Sequence, residues 1–180
     1  MASWPAIARR IRVPLGFGFA VLYLYLARPT WTYLAAGAGI AIFGLILRAL
    51  SSGHVRKNET LTTTGPYAYT RNPLYLGSLI LAAGFALAAR SWWVAAGIVV
   101  FFAAIYVPVI RSEEAFLRKQ FPEFEDYARA VPVLAPRFTP YAGGSGGFSW
   151  ELYWKHREYN ALLGAIGMWI ALAVKMYWHR

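Results

Sequence analysis

The sequence contains no cysteine among its 180 residues. Disulfides, zinc–thiolate sites, c-type haem attachment and a cysteine nucleophile are therefore excluded within it. Charge is also scarce, because only 14% of the residues are charged, whereas a soluble surface carries more. The three histidines, His54, His156 and His179, do not have the spacing of metal ligands, so no metal site is predicted.

Apolar residues dominate what remains, at 58% of the chain. Five apolar segments occupy residues 13–27, 30–48, 74–89, 92–110 and 159–175. Their lengths approach that of a bilayer-spanning helix, and Tyr and Trp at their ends extend the shorter ones into the interface. The sequence predicts an all-α integral membrane protein with about five transmembrane helices. The basic N-terminus resembles a signal peptide, but more apolar segments follow, so we expect a retained first helix.

The basic residues indicate how these helices are oriented. Most of them fall on one side of the predicted bundle: Arg9, Arg10, Arg12, Arg56, Lys57, Arg71, Arg111, Arg118, Lys119, Arg129, Arg137, Lys155 and Arg157. The other side has only Arg28, Arg90, Lys175 and Arg180. The positive-inside rule therefore predicts that the N-terminus and segments 49–73 and 111–158 are cytoplasmic and that the C-terminus faces outward. Topology accounts for the net charge of +10, and we find no nucleic-acid-binding motif.

The whole chain, 1–180, is predicted to form one membrane domain. Its core spans about 55–140, with the polar residues concentrated at the cytoplasmic side. The stretch 111–129 continues the fourth span as a helix into water, and Pro122 indicates a break and a fresh helix start. A flexible linker follows at 141–147. An aromatic, charged interfacial helix at 148–158 then leads into the last span at 159–175.

Residues 65–77, "GPYAYTRNPLYLG", combine a turn with a helix start. Gly65 and Pro66 favour a turn, and Pro73 suits the first position of a helix with Asn72 as its N-cap. A helix N-terminus attracts anions, and Arg71 adds a full positive charge. The stretch therefore predicts an anion site at the cytoplasmic start of the third span. The alternative is that "NP" only starts a helix and Arg71 only signals topology.

Glu113 and Glu114 end the fourth span, which forms a hairpin with the third. They are expected to lie opposite the anion site. Because neighbouring residues on a helix point about 100° apart, only one of the two is expected to face inward. An acid opposite an anion site suits a zwitterionic or cationic ligand. The alternative is that both acids are simply solvated.

These motifs resemble a known superfamily. "GPYAYTRNPLYLG", followed about 30 residues later by "EEAFLRKQFPEFEDYARAVPVLAP", is similar to the isoprenylcysteine carboxyl methyltransferase and phospholipid N-methyltransferase superfamily. Its pattern is Gly-Pro-Tyr, Arg-His-Pro-x-Tyr-x-Gly, Glu-Glu and a Phe-Gly…Tyr…Val-Pro ending. The resemblance covers about 55–140 and extends to the small prokaryotic members, which implies the cytoplasmic membrane of a prokaryote as location.

The resemblance implies S-adenosylmethionine as cofactor, bound in a membrane-embedded fold. The residues that it assigns to cofactor binding are Tyr67, Arg71, Asn72, Tyr75, Gly77, Glu114 and Tyr127. Those that it assigns to catalysis are Glu113, Glu114 and Arg111. Three positions depart from the pattern: Asn72 replaces the His, Pro122 stands where Gly is usual, and Phe124 stands near the first Tyr of the ending. Asn72 can cap and donate but cannot shuttle a proton.

The implied activity is methyl transfer to a lipid-like or prenylated acceptor at the cytoplasmic rim, with membrane lipid as a partner. The acceptor group is left open between a carboxylate and an amine, and thiols and other small lipophilic acceptors are further possibilities. Two other functions are kept. An NADPH-dependent reductase of the related sterol reductase type would need additional spans, and a non-catalytic membrane scaffold would not need Arg71 and Glu114 together.

Overall fold

The structure is a computed structural model that describes residues 4–56, 59–144 and 146–178. The side chains of Arg9, Arg10 and Arg12, and residues Lys57, Ser145, His179 and Arg180, for which expectations were given above, lie outside the described residues. All regular elements in the described part are helical. They are α1 (Trp4–Leu26), α2 (Trp31–His54), a 3-10 turn (Gly65–Ala68), α3 (Pro73–Ala89), α4 (Trp92–Phe101), a π turn (Phe102–Tyr106), α5 (Val107–Gln120), α6 (Phe124–Ala130), α7 (Trp150–Lys155) and α8 (Tyr159–Trp178).

Three of the helices in the described part are long and apolar enough to cross a membrane. They are Trp31–His54, the continuous helix Trp92–Gln120 and Tyr159–Trp178. Two further apolar helices, Pro14–Leu26 and Pro73–Ala89, are shorter. The expected all-helical membrane fold is thus confirmed. Large apolar side chains on the outside of the bundle, such as Phe17 and Phe43, are exposed as lipid-facing residues are.

Helices α2 and α3 form an antiparallel hairpin with a very close contact. Glycines on both helices allow this approach, because a Cβ on Gly77 would lie 2.9 Å from the carbonyl oxygen of Gly44. Two turns further along α3, a Cβ on Gly84 would lie 2.5 Å from the carbonyl oxygen of Gly37. Small residues let membrane helices pack backbone against backbone. The contact fixes the start of α3 relative to the end of α2.

The opposite end of the bundle holds the main apolar core. This core joins the end of α1, the start of α2, the end of α3, the start of α4 and α8 through Tyr23, Ala27, Leu34, Ala88, Ala89, Val94 and Leu172. Lys175 in α8 donates from Nζ to the carbonyl oxygens of Leu24 and Ala27, at 2.5 and 2.8 Å. A cation is favourable at a helix C-terminus, so this contact ties α8 to the end of α1.

The segment after α5 wraps around the end of the bundle where α3 starts. The break expected at Pro122 is confirmed: α5 ends at Gln120, Pro122 and Glu123 form a turn, and α6 begins at Phe124. The interfacial helix expected at 148–158 is shorter than predicted, because α7 spans Trp150–Lys155 and is followed by a turn. Arg157 in that turn has a left-handed φ of 53°, which permits the sharp entry into α8.

Candidate functional site

The loop before α3 is folded tightly against the end of α2. Gly65 has a φ of +59°, a conformation that favours glycine, and a Cβ there would lie 2.5 Å from the His54 ring. The 3-10 turn Gly65–Ala68 follows, with Pro66 at an early position where its missing N–H costs nothing. Tyr67 and Ala68 are buried as a result. The loop is therefore a packed element that holds a fixed geometry.

The segment 131–141 holds this loop from the other side. Arg71 N–H donates to the Pro132 carbonyl at 2.9 Å, and Tyr141 N–H donates to the Ala68 carbonyl at 2.9 Å. The Thr70 hydroxyl donates to two carbonyls of the same segment at 3.1 and 3.2 Å. These bonds satisfy backbone groups that would otherwise be buried without partners. The "VPVLAP" segment thus acts as a backbone clamp on the loop that carries Arg71 and Asn72.

Arg71 lies at the centre of the site with its side chain largely buried. Its Nη1 donates to the Ala128 carbonyl at 3.0 Å, and its guanidinium lies over the Phe124 ring, 6.0 Å from the ring centre. The Nε lies 3.1 Å from Glu114 Oε1, so the two residues form an ion pair. The same Nε makes no hydrogen bond of good geometry, although it is buried. Arg71 therefore keeps an unused donor inside the site.

Asn72 precedes α3, as expected, but its side chain does not cap the helix. The amide Nδ2 instead donates to Glu114 Oε1 and to the Val133 carbonyl, each at 3.1 Å. The capping prediction is wrong because tertiary partners, an ionised carboxylate and a clamp carbonyl, compete with the local backbone for the amide. Asn72 thus links three segments: the start of α3, helix α5 and the clamp.

Both acids of the "EE" pair reach the start of α3, although only one was expected to. Glu114 contacts Arg71 and Asn72, while the Tyr75 hydroxyl donates to Glu113 Oε1 at 3.0 Å. The two acids have different partners because those of Glu114 precede α3, whereas that of Glu113 lies in the first turn of α3. Glu113 and Glu114 are therefore both part of one polar cluster, with Glu114 on the loop side and Glu113 on the α3 side.

Two tyrosines close the cluster beneath the loop. The Tyr127 hydroxyl donates to the Tyr67 carbonyl at 2.7 Å, and only 2% of Tyr127 and 8% of Tyr67 is exposed. Burial is the main cause that raises the pKa of the Tyr67 phenol above its usual value, with Tyr127 and Glu113 adding to it. Burial also raises the pKa of Tyr127, partly offset by the nearby Arg71 charge. Both phenols are held neutral, as hydrogen-bonding groups.

Two of the predicted site residues lie outside this cluster. Arg111 is exposed and makes no hydrogen bond or ion pair with the cluster in the described part of the chain. Gly77 is buried against α2, where it permits the close helix contact described above. The structure thus brings together Tyr67, Arg71, Asn72, Tyr75, Glu113, Glu114 and Tyr127, and gives Gly77 a packing role.

A second buried polar group next to the first was not expected from the sequence. Arg48 in α2 donates from Nε to Glu158 Oε1 at 2.6 Å and from Nη1 to the Ser78 hydroxyl. Arg48 is a lone charge inside an apolar segment, and such residues are costly unless they have a function or a partner. That signal was available in the sequence, but the partner Glu158, which is 110 residues away, was not.

A cavity of about 290 Å³ opens inside the bundle beside these residues. Its lining comes from α1, α2, α3, α4, the π turn and α8, and includes Arg48, Ser78 and Tyr106. The Tyr106 ring packs edge-on against Tyr75, 5.5 Å between ring centres. Tyr106 ends the π turn, whose extra residue per turn shifts the register of the helix that carries it. Such turns are frequent at functional sites. The cavity therefore adjoins the Glu113 side of the polar cluster.

These features define a class: an all-helical membrane protein whose polar residues converge at one end of the bundle beside an apolar cavity. Residues 17–123 match the family described as phospholipid methyltransferase. The match covers more than half of the chain, and the chain belongs to this family. It is a family of methyltransferases.

Two curated relatives match part of the chain. The cobalt-zinc-cadmium resistance protein CzcN of Cupriavidus metallidurans is 43% identical over 110 residues, which is 61% of this chain and 50% of that protein. The nickel-cobalt-cadmium resistance protein NccN of Alcaligenes xylosoxydans xylosoxydans is 43% identical over 84 residues, 47% of this chain and 39% of that protein. The chain thus spans half or less of the length of these relatives. No solved structure matches the chain. The bacterial relatives fit a protein of a bacterial membrane.

Proposed function

We propose that the chain transfers a methyl group from S-adenosylmethionine to a lipophilic acceptor at one rim of the membrane. The observation that carries this proposal is the convergence of Arg71 and Asn72 with Glu114, which lies 42 residues further along the chain. Two helices and a clamp hold these side chains at the end of the bundle where an apolar cavity begins. A soluble donor and an apolar acceptor can each reach such a place from their own phase.

The residues present fit the donor. Its amino-acid end carries a carboxylate and an ammonium group, and the cluster offers a cation and an anion side by side in Arg71 and Glu114. The buried Arg71 Nε, which lacks a hydrogen bond, is a donor available for a carboxylate. Asn72 adds an amide, and Tyr67, Tyr75 and Tyr127 supply hydroxyls and ring surface around it. We propose these six residues as the cofactor site.

S-adenosylmethionine, when bound, supplies a methyl group on a positively charged sulfonium that an acceptor atom attacks in line, so alignment is the main requirement. In this proposal Arg71 and Glu114 orient the cofactor, and the clamp holds these two side chains in place. Glu113, held by Tyr75, is placed to accept a proton from an acceptor that must lose one, such as an amine. A carboxylate acceptor loses no proton, and Glu113 then contributes charge alone.

The proposal keeps the cytoplasmic orientation of the site and the N-terminus. It also keeps five membrane-crossing helices in one domain, with α1 and α3 as the two shorter ones. The acceptor is a lipid-like or prenylated molecule with a carboxylate or amine, or another small lipophile. Gly77 and Arg111 are left out, because the first packs against α2 and the second is exposed.

Calorimetric titration of the detergent-purified protein tests the cofactor. We expect S-adenosylhomocysteine to bind and NADPH not to bind, and the reverse result would support a reductase. Arg71→Ala and Glu114→Ala should each weaken binding by about 10- to 100-fold, the range for losing a charge-assisted hydrogen bond. Glu59→Ala is the control, because the Glu59 side chain is exposed and, among the described residues, its ion pair is with the exposed Lys155. Absence of S-adenosylhomocysteine binding to the wild-type protein would overturn the proposal.

A radiolabelled methyl-transfer screen over membrane lipid extracts then identifies the acceptor. The purified protein and labelled S-adenosylmethionine are incubated with the extract, and the apolar products are separated. Label should enter an apolar product with the wild-type protein and not with Glu114→Ala. A protein that binds S-adenosylhomocysteine but labels nothing in the extracts would argue for a cofactor-dependent role other than lipid methylation.

A further inference from the structure

The cavity beside the polar cluster has mostly apolar walls and one polar end. Aromatic rings form much of the wall, from Phe19, Phe85, Phe101 and Phe102. Small residues on other helices, such as Ala82, make the room. At about 30 Å³ for a water-sized group, a volume of about 290 Å³ holds roughly ten such groups. The space suits one slender chain or a small ring system better than the two tails of a diacyl lipid.

The polar end of the cavity carries no net charge. Arg48 reaches it from α2, and Glu158 neutralises Arg48 through a 2.6 Å ion pair. Glu158 is 10% exposed on its side chain and Arg48 22%, so the pair is largely removed from water. Adding a third charge to this end would leave one charge uncompensated in an apolar space, which is costly.

Arg48 nevertheless has hydrogen-bond donors left over. Its Nε is used by Glu158, and its Nη1 is used by Ser78 and by the Leu74 carbonyl at 3.4 Å. A guanidinium has five donors, and Nη2 makes no hydrogen bond to any of the described residues. A neutral oxygen can accept from Nη2 without disturbing the charge balance.

We propose that this cavity binds one neutral, oxygen-bearing lipophile of about ten non-hydrogen atoms, with its oxygen on Arg48 and its apolar part between the aromatic rings. An alcohol, phenol or ketone has the right chemistry. A carboxylate is repelled by Glu158, and a protonated amine is repelled by Arg48. As an acceptor identity, which rests on the proposed methyl transfer, this selects an alcohol or phenol from the small lipophiles left open above and disfavours the carboxylate and the amine. The binding itself does not rest on that transfer.

Photolabelling in lipid nanodiscs tests the proposal without any cofactor. Three ten-carbon probes carry the same diazirine on the chain and differ only in the end group: an alcohol, a carboxylate and an amine. Adducts are mapped by mass spectrometry to peptides within residues 16–23 and 98–106, which line the cavity. We expect about tenfold more alcohol adduct than carboxylate or amine adduct on these peptides, because only the alcohol buries no unpaired charge. Equal labelling by the three probes would overturn the proposal.

A pair of substitutions at adjacent residues tests whether the alcohol probe binds in the cavity. Ala82 lines the cavity, whereas Ala83, the next residue of α3, is exposed on the outer face of the bundle. Ala82→Trp should fill the cavity and reduce the alcohol adduct at least about fivefold, the effect expected when a side chain occludes the ligand's volume. Ala83→Trp should leave it unchanged. Equal loss in both variants would place the labelling elsewhere.

Glu158→Gln tests the charge balance independently, because it keeps the shape of the side chain and leaves Arg48 as an uncompensated cation. The preference should then turn towards the carboxylate probe, with its adduct rising to at least the level of the alcohol adduct. A folded Glu158→Gln protein with unchanged probe preference would refute the role given to the ion pair. Failure of S-adenosylhomocysteine to bind, with this labelling pattern intact, would sink the proposed methyl transfer and leave the cavity assignment standing.

Discussion

Replacing Glu114 by alanine should leave Arg71 as an uncompensated buried cation. The two side chains are 11% and 16% exposed and lie 3.1 Å apart. Removing one partner of a buried pair costs about 3–5 kcal/mol, and we take about 3 kcal/mol because this pair retains some exposure. For a chain of this size 1 kcal/mol moves the melting temperature by about 2–4 °C. The expected fall is therefore about 6–12 °C.

An exposed ion pair on the neighbouring helices provides the matched control. Arg118 and Glu125 are 52% and 49% exposed, so Glu125→Ala should cost about 0–1 kcal/mol. Both variants remove a glutamate that pairs with an arginine; they differ in burial and in the hydrogen bond that Glu114 also accepts from Asn72. Melting followed by tryptophan fluorescence in detergent gives the comparison, since the chain has eight tryptophans. A fall for Glu114→Ala no larger than that for Glu125→Ala would refute the argument from burial.

A double substitution separates stability from binding. Replacing Arg71 and Glu114 together by methionine removes the uncompensated charge and restores apolar packing, which is often neutral or stabilising. The double variant should melt above Glu114→Ala and still fail to bind S-adenosylhomocysteine in the titration. Binding as tight as in the wild-type protein would show that the pair is structural and has no part in cofactor recognition.

Three further predictions concern packing, pH and helix anchoring. Gly77→Ala should destabilise the α2–α3 hairpin, because its Cβ would lie 2.7 Å from a side-chain carbon of α2, whereas Gly39→Ala, with nothing within 4 Å, should melt like the wild-type protein. Because burial raises the pKa of Tyr67 and Tyr127, the unfolded state loses their protons first; stability should fall as pH rises above about 10, and less so in Tyr→Phe variants at these positions, as measured by melting across pH. Lys175→Met should lower the free energy of unfolding by roughly 1 kcal/mol, seen as a lower melting midpoint, because it removes the cation at the end of α1. An unchanged midpoint would argue against that anchoring role.

The sequence alone predicted the helical membrane fold and most of the polar cluster. Long apolar runs need no partner to be recognised as helices, and the turn and proline signals around residues 65–73 are local. For that reason the start of α3 at Pro73 and the break at Pro122 were predictable. Arg71 and Glu114 were expected to face one another because a hairpin of two spans brings its ends together. The local signals for helix starts and breaks were thus confirmed, whereas the local cap predicted for the Asn72 side chain was replaced by tertiary partners.

The contacts that only the tertiary structure decided all join residues far apart in the chain. Asn72 bonds to Glu114 and the clamp rather than to its own helix, because an ionised carboxylate is a stronger partner than a backbone N–H. Both acids of the "EE" pair have partners near the start of α3, Glu114 in the loop before it and Glu113 in its first turn. Arg48 met Glu158 across the bundle, and their neutral pair gave the cavity its proposed ligand class. Composition and periodicity specify which segments are helices, but they carry no information about which buried charges meet. That depends on helix packing, which here is set by glycines that let α2 and α3 approach within backbone contact.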